Sequence, residues 1–107
     1  MSLFAKLTGL RAVRTNAASG ADELSIGRAD GFQFEWMSMS SGDVVELDRL
    51  LPFDDQLELI LREIDPQTDD EHSLGSVFIR SEEVGRGELT AQFCGAGARY
   101  DLTYIVI

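Results

Sequence analysis

Pro52-Phe53-Asp54-Asp55-Gln56-Leu57-Glu58-Leu59-Ile60-Leu61-Arg62-Glu63-Ile64-Asp65 reads in two ways. Phe53, Leu57, Ile60, Leu61 and Ile64 have helical spacing, and Pro52 with Asp54 and Asp55 suits a helix start. Yet Leu57, Leu59 and Leu61 also alternate with Glu58 and Arg62, as one face of a strand does. The choice fixes the fold class, and the flanking sequence makes it. Every neighbouring element reads as a strand, so this segment is read as one too.

Those neighbours are short apolar runs between Gly, Asp and Ser punctuation. Tyr100, Leu102, Tyr104 and Val106 alternate with Asp101, Thr103, Ile105 and Ile107, giving one aromatic and aliphatic face. The other face turns apolar at its end, which predicts a strand that becomes central there. Leu89 to Phe93 reads as its partner through the turn Gly95-Ala96-Gly97. Phe32, Phe34 and Trp36 alternate with Gln33 and Glu35, predicting a half-buried strand with Trp36 in the core. Leu7 to Val13 and Glu23 to Ile26 flank a loop, Thr15 to Asp22, and Val44 to Leu47 follows the turn Ser40-Ser41-Gly42-Asp43. Ser81-Glu82-Glu83-Val84 starts like a helix, but Gly85 and Gly87 stop it within a turn. The expected fold is all-β: a single antiparallel β-sandwich over residues 1–107 with at most one short helical turn.

The chain has 107 residues, 44% of them hydrophobic, so it can bury a core without staples. Cys94 is the only cysteine, which excludes an internal disulfide or a multi-cysteine zinc site, and it is expected to be a small buried hydrophobe. The net charge is −10. That field repels nucleic acid and anionic lipid and favours cations, basic partners or solubility. Met1 to Lys6 carries no long apolar run, so neither a signal peptide nor a membrane span is predicted and the chain is expected to be soluble.

The charge concentrates where the ambiguous segment ends. Glu63, Asp65, Asp69, Asp70 and Glu71 crowd the turn that leads to Leu74-Gly75 and the apolar run Val77 to Ile79. Such a loop is either a solvated acidic turn or a cage for a cation. Calcium takes six to eight oxygen ligands in a tolerant geometry, and this loop supplies that chemistry. An EF-hand starting at Asp65 would put Asp70 at the glycine position and Ser76 at the bidentate glutamate position, and Pro66 also argues against it. It is not an EF-hand.

A strand, an acidic pair, polar residues, another acid, then Leu-Gly and a strand resembles the third calcium loop of C2 domains. Glu63 and Asp65 take the paired-aspartate positions, Asp70 or Glu71 the later acid, and Leu74-Gly75 closes the loop. Leu10-Arg11-Ala12-Val13, leading into Thr15 to Gly20 and Ala21-Asp22-Glu23-Leu24-Ser25-Ile26, resembles the first C2 loop, with Asn16 and Asp22 at ligand positions. Gly95 to Tyr104 is similar to the closing strand of small bacterial C2-like sandwiches. The chain departs from the family pattern at Asn16 for a carboxylate, Glu63 for an aspartate, one extra residue before Leu74, and no Pro-Tyr after Asp22. The resemblance implies weak Ca²⁺ binding between two loops at one end of the sandwich, by Asn16, Asp22, Glu63, Asp65, Asp70 and Glu71.

Nothing in the sequence points to catalysis. His72, the sole histidine, is expected in a solvated loop. Cys94 lacks an activating histidine, and Ser38, Ser40 and Ser41 have no base near them in sequence or G-x-S-x-G elbow. The carboxylate pairs Asp54-Asp55 and Glu82-Glu83 read as solvated faces. The expected function is a non-enzymatic binding module with a protein partner or self-assembly, Ile105 and Ile107 offering an apolar surface for the latter. Nucleic acid and membrane are disfavoured by charge.

Overall fold

Leu57, Leu59 and Leu61 all face the interior, Leu59 and Leu61 with no exposure, while Glu58, Ile60 and Arg62 alternate with them in partly exposed positions. Period two therefore wins over the helical spacing of the same residues. In this computed structural model, which describes residues 3–16, 20–65 and 67–107, the segment ends one strand and forms the next. The middle of the predicted first loop, residues 17–19, lies outside the described residues, as do Met1, Ser2 and Pro66.

The strands are β1 (Leu3–Arg14), β2 (Asp22–Arg28), β3 (Gln33–Met39), β4 (Val44–Phe53), β5 (Gln56–Ile64), β6 (Glu71–Arg80), β7 (Glu88–Gly95) and β8 (Ala98–Val106). Among the described residues a single 3₁₀ turn, Ser81–Glu83, stands between β6 and β7, where Gly85 and Gly87 follow. One sheet has the order β4-β1-β8-β7 and the other β3-β2-β5-β6. All neighbours are antiparallel, and the two sheets pack as a β-sandwich. Pro52 is tolerated because β4 is an edge strand, where a missing N–H need not break a central ladder. Asp54 and Asp55 carry the chain across from one sheet to the other.

The core is aliphatic with an aromatic centre. Tyr100, Leu102, Tyr104 and Val106 of β8 face Leu24, Ile26, Leu59 and Leu61 of the other sheet. β8 is central along its whole length, paired to β1 and β7, because β7 runs beside it from Glu88 to Gly95. At the β6–β7 side the sheets meet backbone to backbone. A Cβ on Gly75 would lie 2.7 Å from the Cys94 carbonyl oxygen, and one on Gly95 would lie 2.8 Å from Leu74 carbon. The close approach and the positive φ of 113° at Gly75 leave room for glycine alone. The opposite side is closed by Arg49, whose Nη2 donates to the Phe34 carbonyl at 2.8 Å and to Glu35 Oε1 at 2.9 Å.

Three expectations are corrected. Trp36 is 61% exposed, not core. Ile26 pairs with Glu35 but Gly27 pairs with Gln33, so an extra residue bulges out at Phe34 and breaks the alternation. Phe34 then turns inward with Met37 and Met39, and Trp36 turns out. Cys94 is exposed because Phe93 beside it takes the core position. His72 lies in β6 and not in a loop, since β6 starts at Glu71.

Antiparallel order places four connections at one end: β1 to β2, β3 to β4, β5 to β6 and β7 to β8. Backbone bonds tie the second of them to β1, with Ala12 N–H donating to the Asp43 carbonyl at 2.9 Å and Gly42 N–H to the Ala12 carbonyl at 2.7 Å. The third of these connections carries Asp65, Asp69 and Asp70, and Asp22 opens the strand that follows the first.

Candidate cation site at one end of the sandwich

Asp22 opens β2 and points inward with no solvent exposure, an expensive place for a carboxylate unless it is well bonded. Its Oδ2 accepts the Tyr100 hydroxyl at 2.6 Å and the Asn16 backbone N–H at 2.8 Å. Tyr100 comes from the facing sheet, so this bond spans the sandwich. Burial, and then the Asp22 carboxylate, push the Tyr100 phenol far above its ordinary value.

Glu63 stands near the end of β5, opposite Leu24 on one side and His72 on the other. Its Oε1 accepts from Asn16 Nδ2 at 2.6 Å. Its carboxyl group is also in hydrogen-bond contact with Asp22. Burial raises the Glu63 carboxyl above its ordinary value, and the bond and charge of Asp22 raise it further, while Asn16 and His72 pull the other way. Two carboxylates in contact hold a proton between them more readily than either does alone. A cation can take that proton's place.

Asp65 follows β5. Its Oδ1 accepts from Gln67 N–H at 2.8 Å, and its own N–H and carbonyl bond to the Asp70 carbonyl and the Asp69 N–H, both at 2.8 Å. The loop thus folds on itself, with Asp69 in the left-handed region at φ 59°. An open cleft of about 550 Å³ lies at this end, lined among others by Asn16, Glu23, Glu63, Asp65, Gln67 and His72.

Of the residues singled out from sequence, Asn16, Asp22 and Glu63 are joined by hydrogen bonds, and Asp65 lines the same cleft as Asn16 and Glu63 while Asp22 lies buried behind it. Asp70 is exposed and contributes its backbone to the loop turn. Glu71 is exposed, accepts from Gln33 Nε2 at 3.0 Å and does not line the cleft. Sequence reasoning missed Tyr100, Glu23 and His72. Tyr100 had a readable signal, since a buried tyrosine hydroxyl needs a partner. Among the described residues no three His, Cys, Asp or Glu side chains come together as a ready metal cluster. The oxygen donors are Asp22, Glu63, Asn16 through its amide oxygen, and the Asp65 carboxylate. That set is hard and partly anionic, which suits Ca²⁺ better than a transition metal.

No protein-family model matches the sequence, and no curated protein does. Solved structures do match in shape. Human GIVD cytosolic phospholipase A2 in complex with methyl gamma-linolenyl fluorophosphonate aligns over 98% of this chain at a TM-score of 0.57 and 17% identity. The same enzyme with that inhibitor and terbium chloride aligns at 0.55 and 19%. Without them it aligns at 0.56 and 17%. The likeness is one of fold. This chain spans only 16–17% of the length of those chains.

Proposed function

We propose that the chain is a C2-like, non-enzymatic binding module that takes Ca²⁺ weakly at the acidic end of the sandwich and mediates a protein or surface contact there. The observation that carries this is the Asp22–Glu63 pair: two touching carboxylates beside an open cleft, with the Glu63 carboxyl raised above its ordinary value. The pair is a proton site at low pH and a cation site at higher pH. Asp22, Glu63 and Asn16 would hold the ion, with Asp65 closing from the loop side. Asn16 in place of a third carboxylate points to affinity of about 10⁻⁴–10⁻³ M, as in extracellular calcium modules. The likeness in fold to segments of a phospholipase supports the C2-like part of the reading.

The test is thermal unfolding with and without millimolar Ca²⁺. Wild-type protein is expected to gain stability by linkage, since an ion that binds only the folded state stabilises it. Glu63→Gln keeps the hydrogen bonds of a protonated carboxyl and removes the charge. It is expected to raise the melting temperature slightly at pH 7 without Ca²⁺ and to abolish the Ca²⁺ response. A wild-type protein indifferent to Ca²⁺ would remove the reading.

One observation favours a second role, self-association without metal. Phe4, Leu50 and Ile107 are exposed on one side of the β4-β1-β8-β7 sheet, where Phe4 pairs with Pro52 and exchanges backbone bonds with Ile107. Ile105 lies opposite Lys6 on the same strands. A monomeric mass by sedimentation at high concentration would rule that role out.

A further inference from the structure

Arg14 closes β1 directly opposite Arg99 of β8. Ala98 and Tyr100 point inward, so both arginines stand on the outer face of the β4-β1-β8-β7 sheet. Like charges placed opposite each other are destabilising. Each guanidinium is nonetheless held by its Nε, Arg14 donating to the Gly97 carbonyl and Arg99 to Asp101 Oδ1 at 3.4 Å. Among the described residues the Nη groups of both have no hydrogen-bond partner. Arg11 faces the same way between Val44 and Asp101, and among the described residues it makes no hydrogen bond or ion pair. The row Arg14–Arg99–Cys94 carries no acid. The next, Val44–Arg11–Asp101–Gln92, carries only Asp101, which Arg99 engages, and Glu46 lies one row further on, opposite Gly9. A groove of about 270 Å³ runs on from Arg11 past Gly9, Val44, Thr90, Asp101 and Thr103. Gly9 keeps it open, since a Cβ there would lie 3.1 Å from Thr103 Oγ1. Thr103 Oγ1 donates to the Gly9 carbonyl at 3.3 Å, while the exposed Thr90 hydroxyl has no partner among the described residues.

We infer that this face binds a soluble phosphate monoester, with the phosphate among Arg11, Arg14 and Arg99 and the alcohol part in the threonine groove. A guanidinium fork gives a phosphate two parallel charge-assisted bonds, and the Nε anchors leave both forks free for it. A dianion between Arg14 and Arg99 also turns their repulsion into attraction on both sides. The chain has nine Lys and Arg against 19 Asp and Glu, so its field as a whole repels an anionic bilayer and leaves a small soluble anion as the occupant. The site lies on the opposite sheet from Glu63 and does not rest on Ca²⁺. Its test is therefore run in chelator, and its failure leaves the metal reading standing.

The arginine Nε–H signals in proton–nitrogen correlation spectra report the site directly. The probes are inorganic phosphate and glycerol phosphate, titrated at constant ionic strength against chloride. Both are expected to give saturable shifts in the millimolar range at Arg11, Arg14 and Arg99. Glycerol phosphate is expected to bind about threefold more tightly, because its hydroxyls reach the groove. Arg99→Gln is expected to weaken binding about tenfold, and Arg11→Gln, which removes a charge and no bond, about threefold. Arg86→Gln makes the same change of charge in the β6–β7 connection, at the other end of the sandwich, and is expected to bind like wild type. Shifts that fail to saturate, or that chloride reproduces, would overturn the inference. So would equal weakening in Arg86→Gln, or wild-type affinity in both Arg11→Gln and Arg99→Gln. Glycerol phosphate binding no more tightly than phosphate would overturn the monoester, and tighter binding to phosphatidic acid vesicles would overturn the soluble ligand.

Discussion

Tyr100→Phe isolates the bond that ties the acidic end to the core. The Tyr100 hydroxyl donates to Asp22 Oδ2 at 2.6 Å, and both residues are fully buried. Phenylalanine keeps the ring and its packing, so the loss is the hydrogen bond and not a cavity. A bond to a charged group contributes about 1.5–3 kcal/mol, and water cannot replace the donor beside a carboxylate with no exposure. The expected cost is therefore about 2–3 kcal/mol, a large part of the ~5–15 kcal/mol by which such chains are stable. At about 4–6 °C per kcal/mol the melting temperature should fall by roughly 8–18 °C. Urea unfolding followed by far-UV circular dichroism reads it as a lower midpoint with an unchanged m-value. The stricter form is a double-mutant cycle with Asp22→Asn, where a coupling of about 1–2 kcal/mol is expected. A single-variant loss below about 0.5 kcal/mol, or a coupling near zero, would refute the bond as the anchor of the site.

Tyr104 repeats the arrangement with Glu83 Oε2 at 2.8 Å, and burial followed by that carboxylate raises its phenol as well. A raised folded value means the stability is intact below the unfolded tyrosine value near 10 and is lost as pH rises above it. Each tyrosine should steepen the alkaline loss by about 1.4 kcal/mol per pH unit, and the Tyr100→Phe, Tyr104→Phe pair should flatten it in urea midpoints measured from pH 8 to 11. Gly75→Ala should cost about 3 kcal/mol or more, since its Cβ would meet the Cys94 backbone at 2.7 Å at a positive φ; an alanine variant of ordinary midpoint would contradict that packing. Cys94 should react stoichiometrically with Ellman's reagent in native buffer, because its thiol is exposed; reaction only after unfolding would contradict its outward placement.

Alternation made most of the sandwich legible. Tyr100 to Val106 and Leu57 to Leu61 each carry a period of two, and burial rewards that period directly. Trp36 escaped because a bulge is one residue long and leaves no mark in an aromatic run. Cys94 escaped because a single small residue next to Phe93 does not show which of the two faces inward. In the site, the crowding of acids in one loop singled out Glu63 and Asp65, and the resemblance to C2 loops singled out Asn16 and Asp22. Neither signal pointed to Tyr100 as the partner of Asp22, a contact between residues 78 apart that only the packing of the two sheets creates. Nor did either separate Asp65, in the cleft, from Asp70 and Glu71 outside it. That separation follows from the loop folding back on Asp65 through its backbone bonds to Asp69 and Asp70.

The central claim is that the Asp22–Glu63 pair exchanges a proton for a cation, and isothermal titration with Ca²⁺ at pH 5.5 and 7.5 in buffers of different ionisation enthalpy tests it most directly. The account predicts one weak site of about 10⁻⁴–10⁻³ M at pH 7.5. At pH 5.5 it predicts lower affinity and measurable proton release, both lost in Glu63→Gln. Absence of binding heat at millimolar Ca²⁺, or affinity indifferent to pH and to Glu63→Gln, would contradict it.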